Sequence, residues 1–147
     1  MNLCNPLVAA DKTDWLPLWR GYLQFYKAQE SPETTAITFD RLTSGHEPMG
    51  GFIVRSGEGR ALGIVHWILH RSCWTVGDYC YLQDLFVAPD TRNAGIGRQL
   101  IEQVYAFAKS RDCSRVYWLT HETNTDAMKL YDNIADRSGF LQYRKML

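Results

Sequence analysis

Residues 91–100 read TRNAGIGRQL, with glycines at 95 and 97, Arg92 and Arg98 around them, and an apolar-patterned run after them. Glycines clear side chains from a segment entering a helix, so several backbone N–H groups can converge on an anion at the positive end of the helix dipole. Phosphate suits such a turn; the plain structural alternative is a turn that needs a positive φ at one glycine and close helix packing at the other. Two phosphate motifs fail here. A P-loop needs Lys and then Ser or Thr after its last glycine, but Arg98 and Gln99 follow Gly97. The dinucleotide fingerprint needs a small residue at position 100, where Leu100 stands. A second reactive group is Asp84, a carboxylate inside the apolar run YLQDLFV, which reads equally as substrate-facing or as a paired structural group. His121 and Glu122, just after RVYWLT, are ionisable candidates whose plain alternative is a solvated loop.

The elements that must position these residues follow from periodicity. Trp15, Leu18, Trp19, Tyr22, Leu23 and Tyr26 recur at helical spacing after Thr13 and Asp14, which can cap, with Pro17 in the first turn; this helix ends near Lys27. Ser31 caps a second helix with Pro32 at its first position, closing near Gly45. GGFIVRS, RALGIVHWILH and DYCYLQDLFV then read as an antiparallel meander. Leu100, Ile101, Val104, Tyr105, Phe107 and Ala108 mark an amphipathic helix, followed by the strand RVYWLT, a helix from Asn124 to about Ala135, and a last strand FLQYRKML. A crossover of this length makes YLQDLFV and RVYWLT parallel neighbours, with their carboxyl ends, and the glycine turn, on one sheet edge. Ligands of such sheets bind at that edge. The fold class is α/β (α+β), a mixed sheet with an antiparallel N-terminal meander and a parallel βαβ unit.

Composition narrows the partners. The 147 residues suit a single domain spanning 1–147, and Lys plus Arg equals Asp plus Glu at 16 each, with no run of like charge that would mark nucleic acid or an anionic membrane. MNLCNPLVAADKTDW shows neither a basic leader nor a spanning segment, so a cytoplasmic location is expected. Cys4, Cys73, Cys80 and Cys113 have no C-x-x-C spacing and read as reduced packing thiols, with no metal site. His46, His66 and His70 stand at no ligand spacing and read as structural or exposed.

Arg92 to Gly97, R-x-x-G-x-G between a strand and an amphipathic helix, resembles the acetyl-CoA signature of the Gcn5-related N-acetyltransferases. NTDAMKLY, residues 124–131, matches that family's second signature of Asn, Ala three residues on, then Leu-Tyr. The similarity is strongest toward the subgroup containing the fungal histone and polyamine acetyltransferases. One departure is the joint DNIADRS between Tyr131 and Gly139–Phe140, longer than in the wider family and similar to that subgroup.

The resemblance implies a single acetyltransferase fold with helices on both sheet faces and acetyl-CoA (coenzyme A) as cofactor. It implies that the backbone of Asn93, Ala94, Gly95, Ile96, Gly97 and Arg98 holds the pyrophosphate, with charge from Arg92 and Arg98. Pantetheine would add to the open strand at Leu85, Phe86 and Val87, beside a bulge near Asp84 and Leu85. Asn124 would bond the pantetheine arm or cap its helix, and Ala127 would let the cofactor approach. Tyr131, two turns or about 10.5 Å along the helix from Asn124, would donate to the leaving sulfur. Asp84, Glu122 or His121 would take the amine proton. Phe25, Tyr26, Glu30, Gln83 and His121 would border the acceptor. The implied function is acetyl transfer to a primary amine of a polyamine, an amino acid or a lysine side chain, by direct attack in a ternary complex. The alternatives are a non-catalytic acyl-CoA sensor and nucleotide phosphotransfer; the latter is weakened by the missing lysine. A homodimer through FLQYRKML is the oligomeric expectation of the resemblance.

Overall fold

Runs of β-branched and aromatic residues form β2 (Met49–Arg55), β3 (Ala61–His70) and β4 (Tyr79–Val87), paired antiparallel in sequence order. In the computed structural model, which describes residues 1–147, β5 (Arg115–Tyr117) lies parallel to β4 and β1 (Leu3–Pro6) lies antiparallel to β2. The sheet order is β1-β2-β3-β4-β5. β1 was not expected, because LCNP is too short to alternate; as an edge strand it tolerates the missing N–H of Pro6.

Alternation sends the two faces of the sheet into separate layers. Ile53, Ile64 and Phe86 pack with Trp15, Leu18 and Trp19 of α1 (Lys12–Phe25) and Phe39 and Leu42 of α2 (Pro32–Thr43). Phe52, Val54, Val65, Cys80 and Leu82 pack with Ile96, Leu100, Ile101, Val104 and Ala108 of α3 (Ile96–Ser110). α4 (Thr125–Ile134) adds Leu130, Tyr131 and Ile134 to this second layer, and the Tyr105 hydroxyl donates to the Ile134 carbonyl at 2.9 Å. Helices thus cover both faces, as expected.

Three local expectations need correction. Ser31 caps α2 as read, its Oγ accepting from the Thr34 N–H at 3.0 Å, but α1 begins at Lys12 with Asp11 in the cap position. Thr13 and Asp14 are therefore inside α1, and Pro17 lies in its interior on an exposed face. α1 also stops at Phe25, two residues before Lys27, which takes a left-handed φ of 53°. The last strand does not form: residues 136–147 have no regular structure, and Phe140, Leu141, Tyr143 and Met146 are exposed. An alternating run becomes a strand only against a free edge, and β5 offers three residues.

Candidate active site

β4 and β5 pair only from Tyr79 to Tyr81, after which β5 ends and β4 continues to Val87 with one edge open. His66 faces Asp84 and Trp67 faces Leu82, so Gln83 is the extra residue of a bulge. The expected bulge is present, one residue before Asp84. Beyond it, the Ala88 N–H donates to the Leu62 carbonyl at 2.8 Å, which fixes the backbone parity. Leu85 and Val87 therefore turn their N–H and C=O groups toward the open edge, and Phe86 turns its own toward β3. Of the three backbone partners implied by resemblance, two face the slot.

The chain then enters the glycine turn. Asn93 has φ 67° and Gly95 φ 79°, and Gly95 is the N-cap of α3. A Cβ at Gly95 would meet nothing within 4 Å, so glycine serves its left-handed backbone there, not a close contact. At Gly97 a Cβ would lie 3.7 Å from Leu130 and 3.8 Å from Val87, so a longer side chain would enter the space where β4, α3 and α4 converge. The first backbone bond at this end of α3 runs from the Gln99 N–H to the Gly95 carbonyl at 3.0 Å, and the N–H groups from Asn93 to Arg98 donate to no backbone carbonyl. These unpaired donors at a helix N-terminus fit a pyrophosphate. The two arginines differ. Arg92 lies 5.7 Å over the Phe25 ring and 5.5 Å over Phe86, with Nε donating to the Val87 carbonyl, whereas Arg98 is paired with Glu102 at 2.8 Å.

Across the slot, Asn124, Ala127 and Tyr131 are each half-buried on α4. Asn124 occupies the cap position but makes no cap bond; its Nδ2 donates to Thr120 Oγ1 at 3.1 Å. The Tyr131 ring meets Trp118 edge-on at 5.3 Å. Burial, and then the nearby Tyr26, push its phenol up to about 12. Tyr26, at the end of α1, is thus near enough to Tyr131 of α4 for the two phenols to influence each other.

Asp84 is the centre of a polar cluster on the α1 side. Its Oδ2 lies 2.9 Å from His66 Nδ1, and the Tyr22 phenol lies close enough to the same carboxylate to be raised by its charge. Burial and then the Asp84 charge push the Tyr22 and Tyr26 phenols up, and Tyr81 rises through burial, Tyr117 and Asp84 in that order. Sequence reading did not single out His66 or Tyr22. The available signal was parity, since His66 and Asp84 are inward-facing polar residues opposite each other on apolar strands. Phe25, Tyr26 and Glu30, at the α1–α2 joint, and Gln83 are exposed. His121 and Glu122 are also exposed, in the turn before α4, where His121 Nδ1 bonds Thr123 Oγ1 at 2.7 Å. A separate cavity of about 700 Å³ opens between α1 and Arg92, lined by neither Asp84 nor Tyr131. The four residue types that could ligate a metal form no cluster.

Comparison with known proteins agrees with this geometry. The model of the acetyltransferase (GNAT) family matches residues 14–135. Over 136 residues the chain is 33% identical to the D-amino-acid N-acetyltransferase HPA3 of Saccharomyces cerevisiae, covering 92% of this chain and 84% of that one. It is 29% identical to a thialysine N-epsilon-acetyltransferase of Caenorhabditis elegans, covering 82% and 77%. Among solved structures, the aminoglycoside N-acetyltransferase AAC(6')-Iy bound to a CoA-containing bisubstrate analogue superposes with a TM-score of 0.85 at 16% identity, covering 100% of this chain and 99% of that one.

Proposed function

The chain belongs to the GNAT family of acetyltransferases, as an N-acetyltransferase that uses acetyl-CoA, and on that footing we propose that its acceptor is the primary amine of a small molecule. The acceptor class comprises an amino acid, a polyamine or a lysine side chain. The acyl acceptors in the names of the two relatives, a D-amino acid and thialysine, favour an amino acid. The single observation that carries the reading is convergence: Val87 at the open edge of β4 and Leu130 of α4 both stand beside Gly97, where the N–H groups that open α3 are unpaired.

Acetyl-CoA supplies the acetyl thioester. Asn93 to Arg98 bind its pyrophosphate through their N–H groups and Arg92 adds charge from its seat on Phe25 and Phe86, while Leu85, Val87 and Asn124 bond the pantetheine arm. Arg98 contributes once it leaves Glu102. Asp84, ringed by Tyr22, Tyr26 and Tyr81, attracts the acceptor ammonium. An alkyl ammonium at pKa ~10 must lose its proton before attack, which costs about 4 kcal/mol at neutral pH. Asp84 takes that proton, directly or through water, in preference to the exposed Glu122 and His121. Phe25, Tyr26, Glu30 and Gln83 border the acceptor. Attack is direct, in a ternary complex, and Tyr131 donates a hydrogen bond to the sulfur as it leaves.

The alternative, a non-catalytic acyl-CoA sensor, has no use for the half-buried Tyr131 phenol on the face of α4. We place the whole chain in one catalytic domain, in the cytoplasm, without nucleic acid; no helix is long and apolar enough to cross a membrane. The exposed apolar residues of 140–147 support a homodimer. The test is to incubate the protein with acetyl-CoA and a panel of amino acids, polyamines and lysine peptides and to follow thiol release. Release that depends on the amine is expected; tight CoA binding without turnover on any amine would favour the sensor.

A further inference from the structure

His66 is 1% exposed, a polar, titratable residue set among buried apolar and aromatic side chains. Nothing in the acetyl-transfer scheme above uses it. Its Nε2 lies 2.9 Å from the Trp15 indole nitrogen, and its Nδ1 lies 2.9 Å from Asp84 Oδ2. An indole N–H can only donate. His66 Nε2 must therefore carry the lone pair, and the ring proton sits on Nδ1, where it is donated to Asp84. The ring has no freedom to turn over: Trp15 and Trp19 flank it with centroids at 6.0 and 5.5 Å, and a Cβ at Gly51 would come within 3.1 Å of its Cδ2. Tyr22, on the same helix as Trp15, lies near enough to Asp84 to feel its charge.

We propose that Trp15 and His66 are positioning residues for acetyl transfer: the indole N–H locks one imidazole tautomer, and that tautomer fixes the rotamer of Asp84 toward the acceptor amine. The inference rests on the reading of Asp84 as the group that receives the amine. It links the first helix, through the middle of the sheet, to the acceptor site. Without the indole donor, the imidazole proton can sit on either nitrogen. In the Nε2–H form two acceptors then face each other, the bare Nδ1 and the carboxylate, so Asp84 loses a donor and swings out of line.

The decisive variant is Trp15→Phe, which keeps an aromatic ring in the layer and removes the donor along with part of the ring volume, so the tautomer read by NMR carries the test. Nitrogen-15 NMR of histidine-labelled protein should show His66 protonated at Nδ1 and bare at Nε2 in the unaltered chain, and a mixture of tautomers in Trp15→Phe. The turnover number for the amine should fall about tenfold in the variant, with the Michaelis constant for acetyl-CoA unchanged, because the backbone donors of the cradle open α3, which packs on the opposite face of the sheet from Trp15. His66→Asn, which keeps an N–H able to reach Asp84, should retain more activity than His66→Ala. An Nε2–H tautomer in the unaltered protein would overturn the lock whatever the kinetics. A locked tautomer that is lost in Trp15→Phe with full turnover would overturn the positioning role. Asp84→Asn with undiminished turnover would instead remove the reading of Asp84 on which the inference rests, and the NMR result would still decide the tautomer.

Discussion

Replacing Tyr131 with Phe isolates one oxygen. The phenol is held up to about 12 by burial, against about 8.5 for a free thiol, so complete proton transfer to a departing thiolate would be uphill by about 5 kcal/mol. In the proposed scheme Tyr131 therefore contributes a hydrogen bond to developing charge, an interaction typically of about 1.5–3 kcal/mol. Its loss corresponds to a fall of about ten- to 150-fold in kcat. The ring that remains keeps its edge contact with Trp118, and no backbone donor of the cradle is touched, so the KM for acetyl-CoA should change little. Thiol release at saturating amine, measured across pH, is the assay. Because only the protonated phenol can donate and its pKa is raised, kcat should show no fall attributable to Tyr131 until well above pH ~10. An undiminished kcat in Tyr131→Phe would refute the role. A fall with a midpoint near pH ~10 in the unaltered protein that vanishes in the variant would refute the buried phenol.

Other perturbations separate the parts of the site. Gly97→Val, which pushes atoms into the space between Leu130 and Val87, should raise the KM for acetyl-CoA about tenfold or more and leave the KM for the amine unchanged; equal constants would remove the turn from cofactor binding. Gly95→Ala forces a side chain into a left-handed N-cap and should cost about 1 kcal/mol of stability, read as a lower denaturant midpoint. Burial holds Cys4 at about 11 and Cys80 at about 12, above a free thiol. Raised pKa values favour the folded state fully below the unfolded value and lose that contribution as pH climbs through the folded one, so the melting temperature should hold up to about pH 8.5 and decline above it. A melting temperature constant to pH ~11 would contradict that burial.

The elements around the proposed cofactor slot were legible because they are written locally. Strand, turn, helix, strand and helix follow one another from Tyr79 to Ile134, and each signal, Gly95 with its left-handed φ or the 3.6-residue stripe of α3, depends on near neighbours. The link from Trp15 through His66 to Asp84 was not. His66 and Asp84 are 18 residues apart, and Trp15 lies 51 residues from His66, so the chain they form exists only once β3, β4 and α1 have packed. Asn124 shows the opposite failure, a local rule that lost: it occupies the cap position, yet its amide found Thr120. FLQYRKML alternates like a strand, but alternation describes a face and cannot supply the edge that the face must pair with.

Steady-state kinetics with both substrates varied test the central claim, direct transfer within a ternary complex. The thiols of half-buried Cys4 and buried Cys80, both raised far above neutrality, offer no ready nucleophile for an acetylated intermediate. Double-reciprocal plots of thiol release against acetyl-CoA, at several fixed amine concentrations, should intersect, and the amine should emerge heavier by one acetyl group. Parallel lines together with an acetylated protein after exposure to acetyl-CoA alone would contradict it.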